Sequence, residues 1–106
     1  TNVTPEEFLI RRANAYQAYY ENMPLRASTL PRGPHMQLYR RVAYGRLANF
    51  ELLDARQYRS DQPNGDGLKP LEGAALAKET TMLGDAQETW LMQGLLASQS
   101  TWNILG

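Results

Sequence analysis

The densest grouping of residues able to do chemistry is LLDARQYRSDQP, residues 52–63, where Asp54 is followed by Arg56, Tyr58, Arg59 and Asp61. Hard cations prefer carboxylate oxygens, and a planar guanidinium matches phosphate bidentately. Asp54 could therefore hold a metal while Arg56 or Arg59 grips a phosphate. The same residues also describe an Asp/Arg network that ties a strand to the loop after it, since such networks are common away from active sites. Both readings stand at this point.

The other candidates carry less. DQPNGDGLKPLE, residues 61–72, has the length of a calcium loop and Glu72 in the twelfth place, but Pro63 and Gly65 occupy the third and fifth, where oxygen ligands are required. Pro63, Asn64 and Gly65 read instead as a turn. Gly84 and Asp85 resemble the opening of a metallophosphatase Gly-Asp motif, but no His follows and the pair reads as a helix start. His35, the single histidine, sits in a Pro/Gly loop with no second ligand nearby and reads as exposed. Arg40, Arg41 and Arg46, interleaved with Tyr39 and Tyr44, could contact nucleic acid through phosphates and stacking. A chain with 11 Lys plus Arg and 11 Asp plus Glu has no net field to favour this, and the arginines read as the solvated face of a hairpin. There is no Gly-rich phosphate loop, no GxSxG elbow and no HExxH. With no cysteine there is no disulfide, no thiolate nucleophile and no Cys-based metal site. The chain holds no complete catalytic constellation.

The elements that must position these residues fit within 106 residues, one domain at most. Leu, Ile, Val and Phe sum to only 21, close to the composition at which folding fails, and six Tyr and two Trp partly compensate. Charge is uneven: residues 1–59 hold nine Arg and five acids, and residues 60–106 hold two Lys and six acids, so the halves carry +4 and −4. Thr4, Pro5 and Glu7 predict a capped helix start and Pro24 its stop, with Phe8, Tyr16, Tyr19, Tyr20 and Met23 forming an aromatic stripe that reads as core. Residues 37–44 and 47–54 read as two strands joined at Gly45, the second ending on Asp54, where a strand's carboxyl end can face a site. Residues 57–82 show weak periodicity, with one short helix near 73–78. Asp85 and Glu88 have capping-box spacing for a second helix that packs through Trp90, Leu91, Leu95 and Leu96. TWNIL reads as a final strand of buried character.

The order helix, strand, strand, long loop, helix, strand implies an α/β or α+β arrangement. No apolar run is long enough to span a membrane, and no signal-peptide pattern is present. The absence of an initiator Met, the final strand and the oversized loop make the chain read as a segment of a larger enzyme. Such a segment would expose strand edges and apolar faces and be prone to self-association.

Four blocks in order, RRANAYQAYYENMPLR (11–26), LYRRVAYGRLANFELLDARQYRSDQP (38–63), TMLGDAQETWL (81–91) and TWNILG (101–106), resemble the central part of the PhoD-like, or alkaline phosphatase D, family of metallophosphatases. The LDxRQYRxDQP block is the most distinctive. The resemblance covers residues 1–106 as a partial segment of such a domain. It implies a calcineurin-like α/β sandwich and a periplasmic or secreted enzyme that hydrolyses phosphate monoesters and some diesters at a site of iron and calcium. Most of the family's metal-binding runs are not in this chain, so the segment is expected to be inactive alone. Carried over by position, Asp54 falls on the family's Asp and is the expected metal carboxylate. Arg56 is the expected residue for holding phosphate or orienting Asp54, with Tyr58, Arg59 and Asp61 supporting. Ala55 stands where members usually have Thr, and Asn64 where many have Cys. From a different class, the alternative is a non-catalytic anion- or partner-binding module that uses the Arg-rich hairpin.

Overall fold

A computed structural model describes residues 3–65 and 67–106. Asp66, inside the stretch compared with a calcium loop, lies outside the described residues. The chain divides into two units at the Leu38–Tyr39 bond.

In the first unit, helix α1 spans Pro5–Asn22. The expected capping box is present: Thr4 Oγ1 accepts from the Glu7 amide at 3.3 Å, and the Glu7 carboxylate accepts from the Thr4 amide at 3.0 Å. Two otherwise orphaned amides are thereby satisfied. The helix ends because Met23 is extended, with φ −117° and ψ 145°, the conformation favoured by a residue that precedes proline. Its aromatic stripe is not a core, contrary to the expectation. No residue of α1 is buried, and Phe8, Tyr19 and Met23 are exposed. Helical spacing identifies residues that share a face but not what covers it. A 3-10 turn over Ala27–Thr29 follows, and then a backbone bridge between Arg32 and His35, with His35 exposed as expected.

The second unit is built on a three-stranded sheet in the order β1 (Arg40–Tyr44), β2 (Ala48–Leu52), β3 (Trp102–Leu105). β1 and β2 are antiparallel and joined by a turn in which Gly45 takes φ +55°, which costs a glycine nothing. β3 runs parallel to β2 on its other side. The strands are shorter than the sequence suggested. Pairing nevertheless continues past β2 as the Leu53 amide donates to the Gly106 carbonyl and the Gly106 amide to the Glu51 carbonyl. Between β2 and β3 come the long loop, a 3-10 turn over Gly73–Leu76 and helix α2 (Asp85–Ala97). The element order is the expected one, a small mixed α/β arrangement.

Register decides which side of the sheet does what. Arg41 pairs with Glu51 and Ala43 with Asn49, so Arg41, Asn49 and Glu51 share the face that meets α2. There Asn49 Nδ2 donates to Ser98 Oγ at 3.2 Å. Tyr44, Phe50, Trp102 and Ile104 lie on the opposite face and are exposed. The helix therefore covers the polar side, while the apolar side buries Ala48 and leaves Tyr44, Phe50, Trp102 and Ile104 exposed among the described residues. The reading of TWNIL as a buried strand is corrected: all four residues of β3 are exposed.

Helix α2 also starts differently from the expectation. Gly84, at φ +74° and ψ 153°, is its N-cap, and no side chain caps it. The Asp85–Glu88 box does not form, because the Glu88 carboxylate accepts from the Thr81 hydroxyl at 2.8 Å and Thr81 Oγ1 accepts from the Gly84 amide at 3.0 Å. Leu91 is buried as expected, Leu96 is exposed, and Gln87 is buried instead. An added Cβ at Gly84 would lie 3.2 Å from Tyr58 Cβ, on a backbone conformation that L side chains rarely adopt. Gly84→Ala is therefore expected to cost about 1–3 kcal/mol, read as a lower urea midpoint; an unchanged midpoint would contradict this.

Candidate functional site

Asp54 follows the end of β2, where the ladder to β3 has run out, and its backbone needs new partners. Gln87 of α2 supplies both: its Oε1 accepts from the Asp54 amide at 2.8 Å, and its Nε2 donates to the Asp54 carbonyl at 2.9 Å. The same Nε2 donates to the Leu83 carbonyl at 3.0 Å. Gln87 is 1% exposed, so this side-chain amide satisfies peptide groups that would otherwise be buried without partners.

The Asp54 carboxylate, 5% exposed, turns forward to cap the tight turn that follows. Its Oδ1 accepts from the amides of Arg56 and Gln57, each at 3.0 Å, and its Oδ2 accepts from Gln57 Nε2 at 2.6 Å. An aspartate that folds the next residues around its own oxygens is a common way to sharpen a turn after a strand. The consequence falls on Arg56. Its amide is fixed, its side chain is exposed, and its guanidinium makes no hydrogen bond or ion pair among the described residues. A rigid backbone thus presents an uncommitted planar cation, suited to an incoming oxyanion.

The other residues singled out in the sequence separate. Tyr58 packs edge-on to Tyr39 at 5.6 Å, and Tyr39 lies 5.0 Å from Trp90, forming a small aromatic cluster. Arg59 lines a separate cavity of about 250 Å³ with Ser60, Pro63, Thr80, Thr81 and Met82. The hydroxyls there are engaged with their own loop: Ser60 Oγ donates to the Thr81 carbonyl and accepts from the Thr81 amide, both at 3.1 Å, and Thr80 Oγ1 donates to the Ala74 carbonyl. These bonds close the long loop at its two ends. Asp61 is exposed and makes no bond among the described residues. Asn64 and Gly65, at φ +59° and +73°, form the expected turn.

The hairpin arginines do not present one basic face. Arg41 Nε bonds Glu51 Oε1 at 2.6 Å, and its guanidinium lies over the Trp90 ring at 4.8 Å, while Glu51 is fully buried. Arg40 is on the opposite side of β1 by register, and Arg46 is in the turn. The expected solvated arginine face is thus corrected at Arg41, which is part-exposed, bonded to Glu51 and laid over Trp90 on the side that meets α2.

As to metals, among the described residues no three His, Cys, Asp or Glu side chains converge. Asp54 already receives three N–H donors, the partners of an anion held by protein rather than by a cation. The described residues of this chain do not by themselves fit a calcium or iron centre. The sequence singled out Asp54 and Arg56 as candidates, but neither Gln87 nor the Arg41–Glu51 pair. Gln87 was legible as a polar residue four before Leu91 on the packing stripe of α2, where an apolar side chain is the ordinary choice.

Comparison with known proteins bears on what this arrangement serves. Residues 1–106 match the model of the PhoD-like phosphatase family. Alkaline phosphatase D of Bacillus subtilis (strain 168) is 56% identical over 100 residues, which make up 94% of this chain and 17% of that protein. A solved structure described as "Structure of PhoD" aligns with a TM-score of 0.91 and 53% identity over 99% of this chain and 20% of that one. The chain therefore spans a fifth or less of the length of these relatives.

Proposed function

Since this chain belongs to the PhoD-like phosphatase family, we propose that it forms part of a phosphoric ester hydrolase and that Arg56 holds the phosphate of the substrate. The observation that carries this reading is the uncommitted Arg56 guanidinium on a turn fixed at the carboxyl end of β2. A guanidinium placed there offers two parallel N–H donors to phosphate oxygens and offsets the charge that builds up as the ester bond breaks.

Several finer features belong to the same proposal. The open apolar sheet face, with Phe50, Trp102 and Ile104 exposed, supports a segment that is one layer of a larger calcineurin-like sandwich. The same face is what self-association of the isolated chain would use. Metal dependence, with calcium and iron as the resemblance implies, calls for ligands beyond the described residues. The contribution open to Asp54 is one carboxylate oxygen, since Oδ1 already accepts two bonds and Oδ2 one. The segment is accordingly proposed to be inactive by itself. Action on phosphodiesters as well as monoesters, and a periplasmic or secreted location, rest on the family resemblance. No helix among the described residues is long and apolar enough to cross a membrane.

The test exchanges this chain for the matching stretch of Bacillus subtilis alkaline phosphatase D, which leaves the rest of that enzyme in place. The exchanged protein is expected to hydrolyse p-nitrophenyl phosphate, whereas this chain alone is not. An exchanged protein that folds but shows no hydrolysis would overturn the proposal. The alternative, anion binding by the Arg-rich hairpin, has no support in a hairpin whose Arg41 is already bonded to Glu51.

A further inference from the structure

A buried side-chain amide that makes three backbone hydrogen bonds across two elements is rarely filler, because each of its polar atoms had to be matched on desolvation. Gln87 is such a residue, and two of its three bonds go to one peptide position, Asp54, in the manner of a strand neighbour. It takes over at the point where β3 stops pairing: the Leu53 amide still reaches the Gly106 carbonyl, and the next amide, that of Asp54, reaches Gln87. Asp54 in turn sets the amides of Arg56 and Gln57. The chain of contacts runs without a gap from α2 to the backbone of Arg56.

We infer that Gln87 is a positioning residue that acts through Asp54 to hold Arg56 where it meets the phosphate of the ester. This inference rests on the proposed phosphatase reading and adds to it a residue that touches neither substrate nor metal. The physical reason for using an amide here is geometric. A glutamine reproduces the donor and acceptor of a neighbouring peptide while belonging to a helix, so the segment after β2 can leave the sheet without losing its alignment. Displacing a phosphate-binding guanidinium by about 1 Å is enough to cost on the order of a hundredfold in rate.

The test is a double-mutant cycle in the exchanged enzyme described above, with p-nitrophenyl phosphate as substrate. Gln87→Ala and Arg56→Ala are each expected to raise KM by about tenfold or more, and the double variant is expected to match Arg56→Ala alone, because the first residue acts only through the second. Gln87→Met guards against an alanine variant that fails to fold: it keeps the side-chain volume while lacking both donor and acceptor, so it is expected to raise KM as Gln87→Ala does. Effects that multiply in the double variant would overturn the inference. So would a fall in kcat with unchanged KM for both Gln87 variants, the signature of fewer folded molecules. If Arg56→Ala itself leaves KM unchanged, the phosphate-holding reading fails, and the role inferred for Gln87 falls with it.

Discussion

Arg41→Ala is expected to destabilise the second unit by about 2–3 kcal/mol. Glu51 is fully buried, and among the described residues its ion pair is the 2.6 Å bond to Arg41 Nε. Removing the cation leaves a buried carboxylate without its counter-ion; because the Arg41 side chain is 31% exposed and water can enter in its place, the cost is expected at about 2–3 kcal/mol, below the about 3–5 kcal/mol of a fully buried pair. The loss extends to packing. The guanidinium lies over Trp90 at 4.8 Å, and Gly94 has no Cβ because one would collide with that guanidinium. Small domains are stable by only about 5–15 kcal/mol in total, and a unit with few buried apolar side chains has little to lose. Replacing both partners by apolar residues of similar size, Arg41→Met with Glu51→Leu, is expected to restore most of the loss, because no charge is then stranded. Urea unfolding followed by tryptophan fluorescence measures this; a cost below about 1 kcal/mol for Arg41→Ala would show that the pair behaves as a surface bridge.

The second large effect concerns chemistry rather than folding. In the enzyme carrying this chain in place of its own matching stretch, Arg56→Ala is expected to lower kcat/KM on p-nitrophenyl phosphate by about 10²–10³, the usual penalty for losing a donor that meets developing charge. Stability should barely change, because the Arg56 side chain is exposed and only its backbone amide is bonded within the described structure. Arg56→Lys is expected to recover part of the loss, since an ammonium keeps the charge but not the two-pronged geometry. A kcat/KM within a factor of two of the parent would remove Arg56 from the site.

The local parts of this structure were legible where a residue type has one strong backbone use. The Thr4–Glu7 box, the Pro24 stop, Gly45 between two strands and the Asn64–Gly65 turn all stand where the sequence put them. What was not legible is which way each face points. The Tyr16, Tyr19 and Tyr20 stripe and the TWNIL strand have the composition of a core, yet α1 has no buried residue and β3 is exposed throughout. Burial depends on neighbours that periodicity does not name. Arg41 and Gln87 show the same dependence on distant partners. Each is polar, and each is held by a partner distant in sequence, Glu51 for the one and the Asp54 backbone for the other. The site shows the same split. Asp54 and Arg56 were singled out by residue type and by the family resemblance, whereas the capping by Asp54 of its own turn could be seen only once the chain was folded.

The most direct test asks whether Arg56 touches phosphate at all. Inorganic phosphate, as competitor against p-nitrophenyl phosphate, reports that contact without the leaving group, and its inhibition constant would be measured for the exchanged enzyme with and without Arg56→Ala. A rise of about tenfold or more on substitution is the expected result, the loss of roughly one charge-assisted bidentate contact. An unchanged inhibition constant would mean that the turn after β2 serves the fold alone and that the phosphate is held elsewhere.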